Sequence, residues 1–291
     1  MASLDLLLDS FCRRHALPPL FRETVKRHYL TLLPPLLAQQ QQLQRPLLVG
    51  LHGCQGSGKS TLAALWVDLL QQAYDCPAAT LSLDDFYLSH AARQQLAVTV
   101  HPLLQTRGVP GTHDLALLTT TLQRLANGDS LALPRFNKAS DDPLPRSQWP
   151  LVSGVKIVIF EGWCVATPPQ DAAALATPVN ALEAEADPKA VWRHYVNLQL
   201  AAYQPLFHRL DRLFMLQAPN FATVFRWRQQ QEERLRAQLQ TPQSQRGLMS
   251  DVELQRFIQH FQRLTEHSLA TVAALADRCW RLDAGRTPQL R

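Results

Sequence analysis

The sequence predicts an α/β protein, a three-layer sandwich in which helices cover both faces of a mainly parallel central sheet. Two observations predict it. Residues 46–74 have the pattern of a buried strand, a glycine-rich loop and an amphipathic helix in succession. Further short apolar segments then alternate with helical patterns, which is typical of parallel strands joined by right-handed crossovers. At 291 residues, the chain is long enough for one such core with added helices.

The composition indicates a packed globular protein. Hydrophobic residues make up 46% of the chain and charged residues 18%. The net charge of +5 suits a site for anionic phosphates, but it is too small to predict binding to nucleic acid. No apolar run reaches membrane-spanning length, the first residues lack a signal-peptide pattern, and the five cysteines have no regular spacing. We therefore expect a cytoplasmic protein without a membrane or nucleic-acid partner.

Four regions differ in their patterns. Residues 1–45 predict an N-terminal helical extension, because apolar residues recur there at helical spacing. Residues 46–291 are expected to form the main domain. Within it, residues 167–190 are rich in Ala and Pro and predict a surface insertion. Residues 219–240 are polar, rich in Arg and Gln, and predict a lid-like helix.

The remaining elements follow from local patterns. Ser250 and Glu253 have the spacing of a capping box, which predicts the start of a helix. Another helix is predicted from Asp114 to Ala126, ended by Asn-Gly. The predicted strands are residues 46–53, 78–83, 154–160, 211–216 and 279–283.

Residues 53–61 read GCQGSGKST and match the phosphate-loop pattern G-x-x-x-x-G-K-[ST] in full. Glycines let such a loop turn its backbone N–H groups toward a triphosphate, and the next helix presents its positive end. Lys59 is placed to reach the β- and γ-phosphates. The motif therefore predicts a P-loop NTPase fold that binds ATP. The residues assigned to the nucleotide are Gly53, Gln55, Gly56, Ser57, Gly58, Lys59, Ser60 and Thr61.

Two acidic residues, Asp84 and Asp85, directly follow the second predicted strand. In open α/β sheets, that edge forms the ligand crevice. A kinase needs a carboxylate there to accept the proton of the substrate hydroxyl, so this position predicts phosphoryl transfer to a small molecule. From the residues alone, either Asp could be this base, with Lys59 as its catalytic partner, and the other could cap a turn.

Glu161 ends the most strand-like segment of the chain. An acid in this position resembles a Walker B carboxylate, which orients Mg²⁺ and its water shell. The hydroxyl of Ser60, in the phosphate loop, is a second oxygen ligand of the same kind. We therefore predict that Ser60 and Glu161 bind Mg²⁺.

Arginines of the predicted lid helix are candidates for closing over the phosphates. Arg228 is assigned a catalytic role in neutralising the transferring charge, and Arg226 a contact with the nucleotide. The alternative for this cluster is a solvated basic helix face, which is the interpretation we prefer for Arg236.

These elements, in this order, resemble the phosphoribulokinase, uridine kinase and pantothenate kinase superfamily. Further segments resemble D-glycerate 3-kinases: RGVPGTHD at 107–114, LPRFNK at 133–138 and FEGW at 160–163, with 227–232 and 249–251 also similar. The resemblance implies an ATP- and Mg²⁺-dependent kinase that acts on D-glycerate or a related small hydroxy acid.

The resemblance also implies roles for individual residues. It aligns Asp84 with the catalytic base. Cationic groups on the acceptor side would suit a carboxylate, which arginine can grip at two points. For Asp114, capping of the next helix remains an alternative. The residues assigned to substrate binding are Asp85, Tyr87, Arg107, His113, Asp114, Arg135 and Lys138.

Two other functions remain open. One is a pantothenate- or nucleoside-kinase-like acceptor preference, although residues 107–138 offer cations and few aromatic rings for stacking a base. The other is a nucleotide-binding regulatory or assembly ATPase. A GTPase would carry an N-K-x-D segment, whereas Asn137 and Lys138 lack the Asp and precede Glu161.

Overall fold

The computed structural model describes residues 4–238 and 249–289. In chain order, the strands are β1 Leu47–Gly53, β2 Ala78–Ser82, β3 Leu131–Ala132, β4 Phe136–Asn137, β5 Asp142–Pro143, β6 Leu151–Val152, β7 Ile157–Gly162, β8 Arg212–Gln217 and β9 Arg278–Arg281. Five of them form one parallel sheet in the order β2-β7-β1-β8-β9. The two-residue strands form antiparallel pairs, β3 with β6 and β4 with β5.

Helices cover both faces of the sheet. They are α1 Leu4–Arg14, α2 Pro19–Thr24, α3 Leu33–Gln42, α4 Lys59–Tyr74, α5 His90–Thr99, α6 Leu115–Ala126, α7 Ala181–Ala186, α8 Val191–Phe207, α9 Phe221–Gln238 and α10 Asp251–Leu275. A π-helical turn and a 3₁₀ turn connect α2 to α3. Of the helices in the described ranges, none is long and apolar enough to span a membrane.

The central strands are buried on both faces, as parallel sheets between helical layers usually are. Every residue of β1 and of β7 is buried, which explains their nearly continuous apolar sequences. On one face, Leu118 of α6, Leu200 of α8 and Ile258 of α10 belong to one apolar cluster. On the other, Leu8 of α1 and Trp66 of α4 belong to a second cluster. The predicted three-layer α/β sandwich is therefore confirmed.

The N-terminal helices are part of the second layer. Leu8 and Phe11 of α1 are 0% and 1% exposed and share a cluster with Trp66 of α4. The ring of Tyr29 meets that of Trp280 on β9 edge to face, with centroids 4.9 Å apart. These contacts fix the described part of the N-terminal extension, residues 4–45, to the face of the sheet that carries α4.

The Ala- and Pro-rich segment 167–190, predicted as a surface insertion, is exposed along most of its length but is anchored at buried points. Leu182 and Glu183 of α7 are both 0% exposed. The two Glu183 oxygens accept hydrogen bonds from Nε and Nη2 of Arg263 on α10, at 2.8 and 2.6 Å. This buried ion pair attaches the segment to α10, a contact that the composition did not indicate.

Most local predictions are confirmed at the level of single elements. All five predicted strands are present, with ends that differ by at most three residues. Asp114 caps α6 by accepting a hydrogen bond from the N–H of Leu117 at 2.9 Å. The capping box of Ser250 and Glu253 opens α10. The helix predicted in 219–240 is α9, and the last two residues of that range lie outside the described residues. Its role as a lid stays a prediction.

Replacement of Glu183 by Ala tests the anchor of this segment. It would leave the Arg263 guanidinium buried without its partner, so we expect the free energy of unfolding to fall by about 3–5 kcal/mol. Glu185→Ala, on the same helix, is the control. Its side chain is 69% exposed and its nearest arginine contact is 3.8 Å, so we expect a change below about 0.5 kcal/mol. Urea denaturation of both variants would contradict the anchor if the two losses were equal.

Candidate active site

The ends of three neighbouring strands bring the predicted phosphate-binding and acidic residues to one edge of the sheet. Strands β1, β2 and β7 are parallel, so their carboxyl ends coincide. The phosphate loop follows β1, Asp84 and Asp85 follow β2, and Glu161 lies near the end of β7. In the sheet register, Glu161 neighbours Ser82 on one side and Leu51 on the other. This is the edge at which open α/β sheets bind ligands.

The phosphate loop is held against helix α9 at a glycine. Gly56 has a φ of +74°, and a Cβ there would lie 2.6 Å from the Cβ of Trp227. Both the backbone conformation and the close approach therefore require glycine. Trp227 is buried, and its Nε1 donates a hydrogen bond to the carbonyl of Ala284 at 2.8 Å. Helix α4 begins at Lys59, so its positive end faces the loop.

Glu161 connects the loop helix to two strands. Its Oε1 accepts hydrogen bonds from the hydroxyls of Ser60 at 2.9 Å and Ser82 at 2.8 Å. The ammonium of Lys59 lies 3.9 Å from Oε2. Glu161 is 3% exposed, and its Oε2 has no hydrogen-bond partner in the part of the chain that the structure describes. A buried carboxylate oxygen without a hydrogen bond is uncommon and often marks a site that takes a ligand.

The hydroxyl of Ser60 and the carboxylate of Glu161 are hard oxygen ligands of the kind that Mg²⁺ prefers. Magnesium usually takes only one or two protein ligands and completes its octahedron with waters and phosphate oxygens. Among the residues described, no group of three or more His, Cys, Asp or Glu side chains could hold a metal ion. The donor set therefore fits a cation bound together with a polyphosphate better than a site made of protein alone.

Asp84 is a carboxylate surrounded by hydrogen-bond donors. The hydroxyl of Tyr87 donates to Oδ1 and the ammonium of Lys138 donates to Oδ2, both at 2.6 Å. Burial raises the pKa of Asp84, but Lys138, Lys59 and these hydrogen bonds outweigh burial and hold the pKa well below its usual range. Asp84 is therefore ionised at neutral pH and available as a proton acceptor.

Asp85 contacts other protein groups instead of lining the cleft. It accepts hydrogen bonds from Nη1 of Arg135 at 3.1 Å and from the backbone N–H of Phe136 at 3.2 Å. Burial raises the pKa of Asp85, and Arg135 offsets only part of this effect. These contacts fix strand β4 to the turn that follows β2. Of the two acids, Asp84 is the one that lines the cleft beside the phosphate loop.

This acceptor cleft, as we name it, has a volume of about 470 Å³. It opens beside the phosphate loop and brings together residues from elements far apart in the chain. The sequence-predicted residues that line it are Gln55, Gly56, Lys59, Ser60, Asp84, Tyr87, Arg107, Lys138 and Arg228. Thus one carboxylate lines the same cleft as the loop lysine, and four further cations, Arg107, Lys138, Arg228 and Arg234, surround this space.

The position of Arg107 is set by a tight turn. The turn passes so close to α10 that a Cβ on Gly108, whose φ is +127°, would lie 2.5 Å from the ring of Phe261. The Nη1 of Arg107 donates a hydrogen bond to Asp141. Asp141 also pairs with the buried Arg93 at 2.7 Å. Because Asp141 engages one guanidinium nitrogen, the other nitrogens of Arg107 remain available to a ligand.

Four residues predicted to bind substrate do not line the acceptor cleft, namely Asp85, Arg135, His113 and Asp114. His113 is buried behind Tyr87, with ring centroids 4.9 Å apart, and its Nδ1 is 2.8 Å from the hydroxyl of Tyr203. Asp114 caps α6, the alternative left open above. Asp85, Arg135 and Asp114 make hydrogen bonds to protein groups, and His113 makes one through Nδ1, while its Nε2 has no hydrogen-bond partner among the described residues. Their assignment to substrate binding stays a prediction.

Arg226 is likewise turned away from the cleft. Its side chain is exposed and donates a hydrogen bond to the hydroxyl of Thr223 at 3.2 Å. Residues two apart on a helix point to nearly opposite sides, so Arg226 and Arg228 cannot both face the loop. Arg228 faces it and pairs with Glu232 at 2.7 Å.

The sequence assignment missed four residues of the acceptor cleft, which are Trp163, Gln231, Phe257 and Phe261, and it included Arg234 only among the arginines of the predicted lid helix that could close over the phosphates. Gln231 lies three residues after Arg228, and Arg234 lies three residues after Gln231, so helical spacing places them near the same side of α9. Once Arg228 is assigned to the side that faces the loop, Gln231 and Arg234 become candidates for that side too. Phe257 and Phe261 recur at the helical spacing of a buried face, together with Leu254, Ile258 and Leu264, so the sequence pattern predicts core residues there. Their rings line the cleft because α10 passes beside the loop, which periodicity does not reveal.

Comparison with known proteins places this chain in a family. An uncharacterised kinase of Schizosaccharomyces pombe is 37% identical over 229 residues, which are 75% of this chain and 79% of that protein. The chain belongs to the P-loop kinase family of that protein. The chloroplastic D-glycerate 3-kinase of Arabidopsis thaliana is 31% identical over 241 residues, and the match spans 79% of this chain but only 49% of the plant enzyme.

A solved structure agrees with this assignment. D-glycerate 3-kinase from Cryptococcus neoformans superposes with a TM-score of 0.72 at 26% identity, covering 88% of this chain and 94% of that one. No family model matches the sequence. The predicted resemblance to P-loop kinases is thereby confirmed.

Two buried histidines predict how the stability of this kinase depends on pH. Burial lowers the pKa values of His52 and His113 to about 4, from an ordinary value near 6.5. As the pH falls, the unfolded chain therefore takes up these protons first. We expect the free energy of unfolding to decrease between pH 6.5 and 4, by at most about 3 kcal/mol for each histidine.

Urea denaturation at pH 7.5 and 4.5 measures this loss. In the variant His113→Gln, we expect the loss to be smaller, because one buried site can no longer take up a proton. His208→Gln, at an exposed position, is the control and should leave the loss unchanged. An equal loss in the wild-type protein and the His113 variant would contradict the assignment.

Proposed function

We propose that this kinase transfers the γ-phosphoryl group of ATP to a hydroxyl of D-glycerate or a related small hydroxy acid. The observation that carries the proposal is that the Asp84 carboxylate and the Lys59 ammonium line one cleft beside the phosphate loop. A base and a phosphate-binding cation in one enclosed space are what an in-line transfer to an alcohol requires.

The phosphate loop would hold the polyphosphate of ATP through backbone N–H groups and the positive end of α4, with Lys59 on the β- and γ-phosphates. Ser60 and the free Oε2 of Glu161 would hold Mg²⁺. When bound, Mg²⁺ neutralises phosphate charge and orients the terminal phosphoryl group. The Lys59 ammonium lies 3.9 Å from Oε2 of Glu161, so Lys59 would contact the same phosphates as a Mg²⁺ ion held by Glu161.

Asp84 would accept the proton of the substrate hydroxyl. The resulting oxygen forms a bond to the γ-phosphorus while the bond from that phosphorus to the β–γ bridging oxygen breaks, and ADP leaves. Tyr87 donates to one Asp84 oxygen and so fixes the direction of the carboxylate. The low pKa of Asp84 keeps it ionised, although it also makes the carboxylate a weak base.

Four cations besides Lys59 support an acid as the acceptor. Arg107, Lys138, Arg228 and Arg234 line the cleft together with Asp84, and a carboxylate is their natural partner. The Lys138 ammonium has three donors, so it can keep its hydrogen bond to Asp84 and still donate to a substrate. The relatives that are named D-glycerate 3-kinases add support for a three-carbon hydroxy acid.

A nucleoside or pantothenate acceptor is the second candidate, and it is favoured by the aromatic wall of the cleft. This wall contains Tyr87, Trp163, Phe257 and Phe261. However, Trp163 and Phe261 are only 2% and 3% exposed and pack edge to face against each other, which leaves little open ring surface for stacking. A small hydroxy acid therefore fits the cleft better than a nucleoside or pantothenate.

The base assignment is tested by Asp84→Asn with Asp85→Asn as its matched control. Asparagine cannot accept the hydroxyl proton, so we expect the Asp84 variant to lose about 10²- to 10⁴-fold in kcat while its ATP affinity stays similar. The Asp85 variant should keep most of its turnover, because Asp85 faces Arg135 rather than the cleft. Coupled ADP release with D-glycerate measures both. Equal losses would remove the distinction between the two acids.

The acceptor assignment is tested by Lys138→Met. Loss of one charged hydrogen bond to a substrate carboxylate should raise the KM for D-glycerate about 10- to 100-fold and leave the KM for ATP nearly unchanged. Lys156→Met, at the opposite edge of the sheet, is the control and should change neither constant. The assay should include pantothenate and uridine. Turnover stimulated by either of these, and not by D-glycerate, would replace the acid in the proposal.

A further inference from the structure

A hairpin loop beside the acceptor cleft carries an aspartate that has no part in the proposed reaction so far. Strands β4 and β5 pair antiparallel, and residues 138–141 form the loop between them. At the start of this loop, Lys138 lines the acceptor cleft and donates a hydrogen bond to Asp84 at 2.6 Å. At its end, Asp141 has a φ of +57° and accepts a hydrogen bond from Nη1 of Arg107. Both ends of the loop therefore contact charged residues of the cleft.

The end of this loop is fixed by a buried arginine. Arg93 of α5 is 1% exposed, and its Nη2 donates a hydrogen bond to the backbone carbonyl of Asp141 at 3.0 Å. The same nitrogen lies 2.7 Å from Oδ2 of Asp141. The other guanidinium nitrogens of Arg93 donate to the carbonyls of Leu88 at 3.1 Å and Gln105 at 2.8 Å. Because three backbone carbonyls hold Arg93 in place, Arg93 in turn fixes both the main chain and the carboxylate of Asp141.

Asp141 thus presents a fixed carboxylate to Arg107. Its Oδ1 contacts Arg107 and its Oδ2 contacts Arg93, so one carboxylate bridges two guanidinium groups. The Arg107 guanidinium also lies 5.7 Å from the ring centroid of Phe136. A long arginine side chain loses conformational entropy when a ligand orders it, and a fixed partner removes much of this cost before the ligand arrives. The remaining nitrogens of Arg107 can then donate to a ligand in the cleft.

We infer that Asp141 is a positioning residue for the acceptor, which holds the Arg107 guanidinium in place so that its free nitrogens bind the carboxylate of the acceptor. Asp141 does not line the cleft and acts through Arg107. The inference rests on the proposed function, because an acid acceptor is the ligand that Arg107 would bind. The loop also carries Lys138, so one short segment places two of the cations of the cleft.

A double-mutant cycle on Asp141 and Arg107 tests the inference. Asparagine tolerates the left-handed backbone of position 141, but its neutral hydrogen bond is weaker than one made by a carboxylate. In Asp141→Asn, we therefore expect the KM for D-glycerate to rise about 3- to 10-fold, with kcat and the KM for ATP within about twofold. In Arg107→Gln, the KM for D-glycerate should rise about 10- to 100-fold. The double variant should match Arg107→Gln within about twofold, because Asp141 acts only through Arg107.

Asp142→Asn is the matched control for the cycle. It removes the same charge one residue away, and Asp142 accepts a hydrogen bond from the backbone N–H of His90 at 2.8 Å instead of contacting Arg107. Its KM for D-glycerate should stay within about twofold of the wild-type value. Losses that multiply in the double variant, equal losses in the Asp141 and Asp142 variants, or a lower KM in the Asp141 variant would overturn the inference.

A carboxyl ¹³C titration by NMR tests the contact between Asp141 and Arg107 without any acceptor. Burial raises the pKa of Asp141, but the hydrogen bonds from Arg93 and Arg107 outweigh burial and lower the pKa below its usual value. In Arg107→Gln, we expect the pKa of Asp141 to rise toward that value, and an unchanged pKa would overturn the inference. If the wild-type protein fails to phosphorylate D-glycerate, the proposed acceptor fails and the role of Asp141 fails with it. Turnover of D-glycerate without coupling between the two residues would overturn the inference alone.

Discussion

The hydrogen bonds that the buried Glu161 carboxylate accepts from Ser60 and Ser82 hold the site together. They join the loop helix, β7 and β2 at a single oxygen. A buried carboxylate is stable only when donors and a counter-charge surround it, and here the counter-charge is Lys59 at 3.9 Å. The register of β7 against its neighbouring strands therefore has a direct chemical consequence, because another register would separate Glu161 from the hydroxyls of Ser60 and Ser82.

The two neighbouring aspartates have different surroundings and therefore different roles. Asp84 faces the cleft between Tyr87 and Lys138, while Asp85 turns back to the protein and holds β4. Adjacent residues leave a strand end in different directions, so the same local sequence supplies one acid to the ligand space and one to the scaffold. In the proposed reaction, this division provides an ionised base whose orientation is fixed by its neighbours.

Helix α9 contributes Gln231 and Arg234 to the acceptor cleft and also to a smaller cleft on the other side of the phosphate loop. Trp227 packs against Gly56 of the phosphate loop, and its neighbour Arg228 lines the acceptor cleft. On the far side, Arg286 fixes the turn after β9 to the same glycine. One glycine therefore meets two elements that lie more than 150 residues later in the chain. A side chain at this position would therefore disturb the loop, α9 and the turn after β9 together.

The sequence by itself determined the strands, the loop and the acids at the sheet edge, because these depend on local patterns. Apolar runs specify buried strands, glycines specify the loop, and Ser250 and Asp114 specify helix starts. Only the tertiary structure decided which face of α9 meets the loop and that His113 and Asp85 turn inward. It also decided that the N-terminal turn stands across from the C-terminal one. These choices depend on packing between distant segments, where a rotation of a helix by half a turn changes which side chains reach the ligand.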